Sequence, residues 1–413
     1  MIASMRSKSD PENNKPRYMK STGERSEQQP GIFENITEAS SYWKDLWEQP
    51  SIATNSDATW LEDVRCAFAE LVPVPSQEDF KLETVKCASV IKKKRNWSAP
   101  GPDRIVNFWW KRAESLHKGI AASFQAAVLG DEEFPKWFTG GKTRLLPKPG
   151  EFSSQNQRPI TCLNNQYKWF TSCLLPLMDK HLAEYDLLEG EQRGAKPRCS
   201  GTTDNLLVDR MVCHDSRNSR KNLSMAWIDV RKAFDSVIHE WLLDMMFLHK
   251  IPSWLCNTVK RLCQSWNTKI TVRTRQEMET SDVIHFNKGL PQGDALYLRL
   301  FTLCLNPVSW KLKASEAYKP SKPINGKMNH LLCIDDMKIY ATSESKLDRV
   351  LTTTKVAMAD KRLDFNEKKC AIAHVKRGVL DSRPNSMHVG ESQIIVESTY
   401  KNIKVKAAIK LCK

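Results

Sequence analysis

Two adjacent aspartates, Asp335 and Asp336, interrupt the apolar run LLCIDDMKIYA at residues 331–341. Aspartate is depleted in β-strands, and a carboxylate that is removed from water without a partner is costly. A third acid, Asp229, ends another strand-like run, MAWID, further back in the chain. Each acid therefore stands at the end of a stretch that is typical of a buried strand, where the following turn opens onto solvent.

These acids could share metal ions if the chain brings their strands together. Successive side chains of a strand point to opposite faces, so Asp335 and Asp336 can serve one site only if the chain turns there. Aspartate suits tight turns, and we expect a hairpin whose turn is the Asp-Asp pair. Two carboxylates about 4 Å apart repel by roughly 4 kcal/mol at intermediate dielectric, and bound divalent cations remove that repulsion. Carboxylates, waters and phosphates are the ligands that Mg²⁺ takes.

Two such ions can activate an attacking hydroxyl and stabilise a leaving pyrophosphate. The alternative is that Asp-Asp only makes a hairpin turn and that Asp229 caps the helix after it, which is the favoured interpretation of an isolated Asp-Asp pair.

The amino-acid composition helps to decide between a metal site and a simple hairpin turn. The chain has 63 Lys and Arg against 48 Asp and Glu, a net charge of +15, which favours a polyanion as partner. A carboxylate metal site in a basic chain suggests nucleotidyl or phosphoryl transfer on nucleic acid.

The location of the protein is expected to be intracellular, nuclear and/or cytoplasmic, and not secreted. The first residues are polar and carry no secretory signal, and no apolar run reaches membrane-spanning length. The twelve cysteines lack the paired spacing of a zinc site and are expected to be reduced.

Helices and strands alternate without the regular repeat of a doubly wound sheet, which predicts an α+β fold. Residues 1–30 are polar and are predicted to be disordered. Loops are predicted at 98–105 and, with short strands, at 139–163. The remaining patterns predict helices at 60–71, from Ser76 to about Arg95, at 166–189 and at 231–249, and strands at 223–230, at 268–274 and on both sides of the Asp-Asp pair.

Four segments place these acids in a recognisable context. They are AWIDVRKAFDSV (226–237), GLPQGDAL (289–296), CIDDMKIYA (333–341) and LDFNEKKCAI (363–372). In type, order and spacing they resemble the palm motifs of reverse transcriptases, most closely those of non-long-terminal-repeat retrotransposons. Upstream, NWSAPGPDRI (96–105) and LLPKPG…QNQRPITCL (145–163) resemble the fingers motifs of that lineage, and SYWKDLW (41–47) resembles the segment that precedes them. The resemblance covers about residues 31–405.

The resemblance implies a right-hand polymerase fold whose palm is an antiparallel sheet backed by helices. It divides the chain into a helical N-terminal region that joins the fingers, the fingers, the palm and a truncated palm–thumb junction, at 31–130, 131–222, 223–377 and 378–413. The implied activity is that of an RNA-directed DNA polymerase, which adds deoxynucleoside triphosphates to the 3′-hydroxyl of a DNA primer on an RNA template. Two Mg²⁺ ions are the implied cofactors, and Mn²⁺ is a possible substitute.

Site residues follow from the same motifs. The catalytic aspartates of the family fall on Asp229 and Asp335, with Asp336 as an auxiliary ligand beside them, and the carbonyl of Val230 completes the metal coordination. Asp235 also matches the pattern and is interpreted as structural. The residues implied to contact the nucleotide are Lys148 and Arg158 at the triphosphate, Phe234 as the steric gate under the sugar, Gln292 and Gly293 near the incoming nucleotide, and Lys369, with Lys368 as an alternative, as the acid for pyrophosphate.

Other residues carry expectations that the structure can test. Trp97, Trp109 and Trp110 are predicted to lie in the core rather than to stack on bases. The basic run KKKR at 92–95 is predicted to be a solvated helix end with some phosphate contact.

Several residues depart from the family pattern. Cys333 replaces an aromatic residue, Tyr297 could crowd the template path, and Lys404 replaces the glycine of a tight turn. With Lys413 as its last residue, the chain is expected to have a missing or vestigial thumb. A second hypothesis follows: a catalytically inactive, decayed remnant that retains at most nucleic-acid binding.

Overall fold

The protein is described by a computed structural model that covers residues 32–50, 58–71, 80–130, 133–197, 199–321, 327–381, 386–389 and 392–395. The predictions for residues 1–30, for Ser76 and for Lys404 lie outside these ranges. Within them, no helix combines the length and the apolar character that a membrane crossing requires. The eleven cysteines of the described segments are free thiols.

Helices form much of the described chain. They are α1 (Ile36–Glu48), α2 (Thr59–Leu71), α3 (Thr84–Lys93), α4 (Asn107–Arg112), α5 (His117–Leu129), α6 (Lys136–Thr139), α7 (Asn165–Glu184), α8 (Thr202–Asn218), α9 (His239–Leu248), α10 (Ser253–Ser265), α11 (Ala295–Lys313) and α12 (Glu344–Ala359).

The strands form two larger sheets and a separate hairpin. They are β1 (Gly140–Pro147), β2 (Gln157–Leu163), β3 (Leu223–Ile228), β4 (Asn267–Arg273), β5 (Met278–Thr280), β6 (Ile284–His285), β7 (His330–Cys333), β8 (Asp336–Ala341), β9 (Ala371–Lys376), β10 (Val379–Leu380), β11 (Ser386–Val389) and β12 (Ser392–Ile395). One sheet has the order β2-β1-β4-β5, with β6 also paired to β4, and the second has the order β10-β9-β3-β8-β7. Helices and sheets are mixed, so the α+β prediction is confirmed.

The second sheet is antiparallel throughout, and its central strand β3 is buried on both faces. Ala226 and Ile228 pack in the main hydrophobic core, whereas Met225 and Trp227 pack in a smaller cluster with Tyr340. Alternating side chains of a strand point to opposite faces, so apolar residues at every position require cover on both sides. This explains why the sequence of β3 is apolar at every position except Ser224, which is also buried.

Two predicted helices begin later than the sequence patterns suggest. The helix expected from 231 begins at His239, after a left-handed Lys232 (φ 46°) and a 3₁₀ turn at Phe234–Ser236. The helix expected from Ser76 begins at Thr84, and its Val85 side chain is 79% exposed. A left-handed residue and a 3₁₀ turn precede α9, and residues 80–83 before α3 are not helical.

The segment 139–163 is more regular than predicted, because β1 and β2 pair over seven residues from Gly141–Leu163 to Pro147–Gln157. Tyr297 was expected near the template path, and this interpretation is wrong. Its side chain is buried, and its hydroxyl donates to the Tyr167 hydroxyl at 2.8 Å. The tyrosine therefore belongs to the core between α7 and α11.

A buried lysine joins α2 to the rest of the fold. Lys361 lies between the rings of Trp60 and Trp241, 5.2 and 4.9 Å from their centroids, and its ammonium group donates to the Cys304 carbonyl at 3.2 Å. Burial lowers the pKa of Lys361 to about 7, although Cys304 and Asp360 act in the opposite direction.

Lys361 should make stability depend on pH. Its pKa is lower in the folded than in the unfolded state, so the unfolded state binds more protons between about pH 7 and the ordinary lysine pKa. Stability should therefore rise as pH increases from 7 to 9. Replacement by methionine should raise the Tm at pH 7 and flatten this slope, measured by thermal unfolding at both pH values. The exposed Lys81→Met variant is the control, and an identical pH slope in both variants would contradict the assignment.

Candidate active site

The pairing of β3 with β8 brings the three predicted metal ligands to one end of the second sheet. Ile228 pairs with Met337, so Asp229 directly follows the last paired residue of β3 and Asp336 directly precedes its partner on β8. Extending this antiparallel register by one step sets Asp229 opposite Asp336, and Asp335 lies next to them in the turn. Asp229 and Asp336 are buried, and Asp335 is half-buried.

The hairpin expected at Asp335–Asp336 is present, but its turn is shifted by one residue. Ile334 and Asp335 form the turn, whereas Asp336 already pairs with Cys333 as the first residue of β8. Ile334 adopts φ 62°, a left-handed conformation that is a marked outlier for a β-branched residue. The prediction that both aspartates form the turn is therefore wrong for Asp336.

A distant glutamine holds this strained turn. The Gln192 amide donates to the Ile334 carbonyl at 3.2 Å, and its oxygen accepts from the amides of Ile334 and Gly194 at 3.0 and 2.9 Å. A Cβ atom on Gly194 would lie 2.4 Å from the Ile334 nitrogen, so only glycine fits there. Strained conformations persist where the surroundings fix them. Sequence reasoning missed Gln192, and no local pattern marks it.

Asn366 holds the other side of the site. Its side-chain amide donates to an Asp229 carboxylate oxygen at 2.9 Å, and its backbone amide donates to the Asp229 carbonyl at 2.7 Å. Val230 forms an isolated antiparallel bridge with Phe365 beside it. Asn366 was not predicted, although it lies within the motif LDFNEKKCAI. It fixes the orientation of the Asp229 carboxylate.

The donor chemistry at this end of the sheet suits a hard divalent cation. Asp229, Asp335, Asp336 and the Val230 carbonyl supply oxygen atoms only, which is what Mg²⁺ and Mn²⁺ prefer. Across the described ranges, no group of three or more His, Cys, Asp or Glu side chains is already placed to hold a metal ion. The fit to such an ion thus rests on the chemical type of these residues and on the pairing of β3 with β8.

Asp235 connects three separate parts of the chain. Its carboxylate accepts from the Trp47 indole at 3.3 Å and from the Gln292 amide at 3.4 Å. Burial raises the pKa of Asp235 to about 6, although the nearby Lys232 and the two hydrogen bonds lower it. Asp235 thus links the N-terminal helix α1 to the turn that carries Gln292.

The Pro-Gln-Gly turn packs directly on β2. The Gln292 carbonyl accepts from the Thr161 amide at 2.7 Å, and a Cβ atom on Gly293 would lie 2.1 Å from the Thr161 carbonyl oxygen. The glycine therefore allows a close backbone approach, here to β2. Phe234 lies nearby, with its ring stacked on Phe301 at 4.5 Å between centroids.

Gly293 gives a sharp test of this contact. Gly293→Ala should destabilise the fold by about 1–3 kcal/mol, because the methyl group meets backbone that cannot move aside easily. Gly119→Ala is the matched control, because no heavy atom lies within 4 Å of a Cβ atom there. It lies inside α5, where alanine should stabilise by about 0.5–1 kcal/mol. Urea denaturation measures both, and a stabilised Gly293→Ala would show that the close contact does not exist.

Three lysines from separate segments lie near one another at the site. The pKa of Lys232 is lowered to about 8, mainly by burial and also by the charge of Lys148, whereas Asp235 raises it and Lys369 lowers it further. The Lys232 ammonium group donates to the Gln155 carbonyl at 2.6 Å and lies 4.1 Å from the Trp43 ring centroid. Sequence reasoning missed Lys232, although it stands within AWIDVRKAFDSV.

The other predicted cations are placed as follows. The backbone amide of Lys148 donates to the Asn156 carbonyl at 3.1 Å. Arg158 lies on β2, two residues after Asn156, and is therefore diagonally across the hairpin from Lys148. Arg158 is exposed. Lys368 and Lys369 are both exposed in one 3₁₀ turn, and Lys369 is the one whose charge acts on Lys232.

Comparison with known proteins identifies the family of the chain. Residues 146–404 match the family model described as reverse transcriptase (RNA-dependent DNA polymerase). The Pol polyprotein of the type-1 retrotransposable element R2 of Nasonia vitripennis is 25% identical over 275 residues, which cover 66% of this chain and 25% of the relative. The Pol polyprotein of the type-2 element R2DM of Drosophila melanogaster is 23% identical over 360 residues, covering 86% and 31%.

A Transposon TX1 149 kDa protein of Xenopus laevis is 24% identical over 216 residues, covering 51% of this chain and 14% of the relative. The chain thus spans about a third or less of the length of these relatives. The family model itself covers more than half of the chain. The chain belongs to the reverse transcriptase family, as a reverse transcriptase of the non-long-terminal-repeat retrotransposon type.

Proposed function

We propose that this chain catalyses template-directed addition of deoxynucleotides to the 3′-hydroxyl of a DNA primer on an RNA template, with divalent metal ions. The observation that carries the proposal is the register of β3 and β8, which sets Asp229 beside the hairpin of Asp335 and Asp336. Carboxylates that lie side by side repel one another, and cations bound between them reduce that repulsion. A metal-dependent reaction on phosphates accounts for this arrangement in a chain of net charge +15.

The second sheet, with β3 at its centre, is the proposed palm, and the hairpin of β1 and β2 belongs to the proposed fingers. We retain the regions 31–130, 131–222, 223–377 and 378–413 as proposed boundaries. One feature of the topology joins two of them, because β4 from the palm region pairs in parallel with β1 from the fingers region. The two regions therefore share a sheet, which should couple the position of the fingers to the palm.

Asp229, Asp335, Asp336 and the Val230 carbonyl would hold two Mg²⁺ ions, or Mn²⁺ in their place. When bound, such ions lower the pKa of an attacking hydroxyl and neutralise a leaving pyrophosphate. The chain itself contributes positioning. Asn366 orients the Asp229 carboxylate, and Gln192 fixes the turn that presents Asp335.

Lys148, Arg158 and Lys369 would hold the triphosphate, and the structure adds Lys232 to this group. Ammonium groups that converge from separate segments are unfavourable until an anion lies between them, and a triphosphate is a suitable anion.

The remaining nucleotide contacts come from the two turns. Gln292 and Gly293 would lie next to the incoming nucleotide, and the ring of Phe234 would pack under its sugar and disfavour a 2′-hydroxyl. The Asp235 carboxylate accepts a hydrogen bond from the Gln292 side-chain amide and so orients that side chain.

Primer extension on an RNA template with Mg²⁺ tests the proposal. Deoxynucleotide addition that requires metal, and that is reduced with ribonucleotides, supports it. Retained RNA binding without any extension, under both Mg²⁺ and Mn²⁺, would leave the alternative of an inactive remnant.

A further inference from the structure

A group of exposed aromatic and basic side chains lies at α3 and α4, outside the site described above. The α3–α4 surface consists of Lys92, Trp97, Phe108, Trp109, Lys111 and Arg112. Trp97 is 73% exposed and Trp109 is 62% exposed, so the prediction that both lie in the core is wrong. Trp110, next to them, is half-buried and packs against the core.

The rings of this surface already form a stack. Trp97 and Phe108 lie face to face, with 5.2 Å between centroids and 9° between planes, and Trp109 meets Phe108 edge-on at 5.3 Å. The Arg112 guanidinium lies 5.5 Å from the Phe108 ring centroid. A cluster of exposed aromatic rings is typical of a binding surface, whereas single exposed apolar side chains are ordinary.

Basic groups line a groove on the Phe108 side of the stack. A groove of about 450 Å³ is lined by Lys92, Phe108, Lys111 and Arg112, among others, and Glu114 is its carboxylate. Glu114 lies 3.6 Å from Lys92, and both of these side chains are exposed. Three cations against one carboxylate give the groove a positive balance, which suits a phosphate backbone.

The backbone beneath the rings is fixed. The Phe108 amide donates to the Asn96 carbonyl at 3.1 Å, and the buried Asn107 side chain donates to the Arg95 carbonyl at 2.9 Å. These bonds tie the loop that carries Trp97 to the start of α4. The backbone that carries the rings is therefore fixed before a ligand arrives, which lowers the entropy cost of binding.

We propose that the α3–α4 surface binds an unpaired nucleic-acid strand, with bases stacked on Trp97 and Trp109 and with phosphates near Lys111 and Arg112. Every base offers a flat face for stacking, whereas a duplex hides these faces, so the aromatic rings favour a single strand. The inference extends the proposed function, because it names a contact for RNA or DNA outside the active site. It concerns binding and does not require that the chain extends primers.

Fluorescence anisotropy with a labelled single-stranded 12-mer tests the inference. Trp97→Ala should weaken binding about tenfold, since stacking contributes about 1–3 kcal/mol per base. Arg112→Ala should reduce the slope of log affinity against log salt by about 0.7, the value for one phosphate contact on a single strand. Trp137→Ala is the matched control, because Trp137 is also 62% exposed and lies outside this surface.

Parallel arms use RNA, DNA and a duplex of equal length. Weaker binding of either single strand by Trp97→Ala but not by Trp137→Ala supports the inference, and the arm with the larger loss identifies the strand. Equal affinity of Trp97→Ala and wild type, or equal competition by inorganic polyphosphate, would overturn it. The binding assay needs neither nucleotides nor metal ions, so a failure of catalysis and a failure of this inference remain distinguishable.

Discussion

Replacing Asp335 by alanine is expected to lower primer extension about a thousandfold while the protein stays folded. Asp335 is half-buried in the turn between β7 and β8, at the end of the sheet where Asp229 leaves β3. Loss of a metal ligand removes several kcal/mol of transition-state stabilisation, and each 1.4 kcal/mol corresponds to about a tenfold change in rate. Single-nucleotide extension with excess Mg²⁺ measures the effect, and circular dichroism checks the fold.

Two further variants sharpen this test. Asp282→Ala removes an exposed aspartate away from the hairpin and should extend normally. Asp336→Asn should have a smaller effect than Asp335→Ala, because Asp336 is buried within the first pair of β8 and is the proposed auxiliary ligand. Extension by Asp335→Ala at the wild-type rate would remove the metal-site assignment. A larger loss in Asp336→Asn than in Asp335→Ala would exchange the roles of the two acids.

The sheet that carries this site could be predicted because its signals are local. Every residue of β3 is apolar or small enough to be buried, and the motif around Asp229 has a distinctive order. The two strands around Asp335 are short and apolar, so a hairpin between them follows from turn chemistry. These features depend on residues within about ten positions of one another along the chain.

The details of the turn could not be predicted in the same way. An isoleucine at φ 62° is disfavoured by its own side chain, and it is stabilised by Gln192, which lies 142 positions away. Likewise, the position of the Lys232 side chain at the site depends on its contacts with the Trp43 ring and the Gln155 carbonyl. Such tertiary contacts override local propensity, and a single sequence carries no direct record of them.

The solvent exposure of the tryptophan side chains was also difficult to predict from the sequence. Trp97 and Trp109 stand in a segment rich in apolar residues, which favours the core, but the short helix α4 can bury only part of its surface. Residues such as Cys87 and Ile91 on α3 fill the adjacent core instead. The exposed rings thus became visible only from the packing of α3 and α4.

The largest expected change in stability concerns a buried ion pair between α8 and the second sheet. Lys338 on β8 is buried and contacts the carboxylate of Asp209 on α8, which also accepts from the Tyr340 hydroxyl at 2.8 Å. Lys338→Met should destabilise the protein by about 3–5 kcal/mol, because Asp209 is then left as a buried charge without its cation. Urea denaturation with constant m-value measures this loss.

Replacing Asp209 and replacing Lys338 should lower the stability by different amounts. This difference separates the electrostatic contribution of the pair from its packing contribution. Asp209→Asn keeps an acceptor for Tyr340, and the Lys338 ammonium group still lies 4.1 Å from the Trp227 ring centroid, so this variant should lose less than Lys338→Met. The double variant Asp209→Asn/Lys338→Met has no buried charge and should regain most of the stability.

Lys86→Met breaks an exposed pair with Glu83 and should have little effect. Additive losses in the double variant would show that the two charges do not interact. In that case the hydrogen bond from Tyr340 to Asp209 and apolar packing, which includes Val212 and Met225, would hold α8 to the sheet.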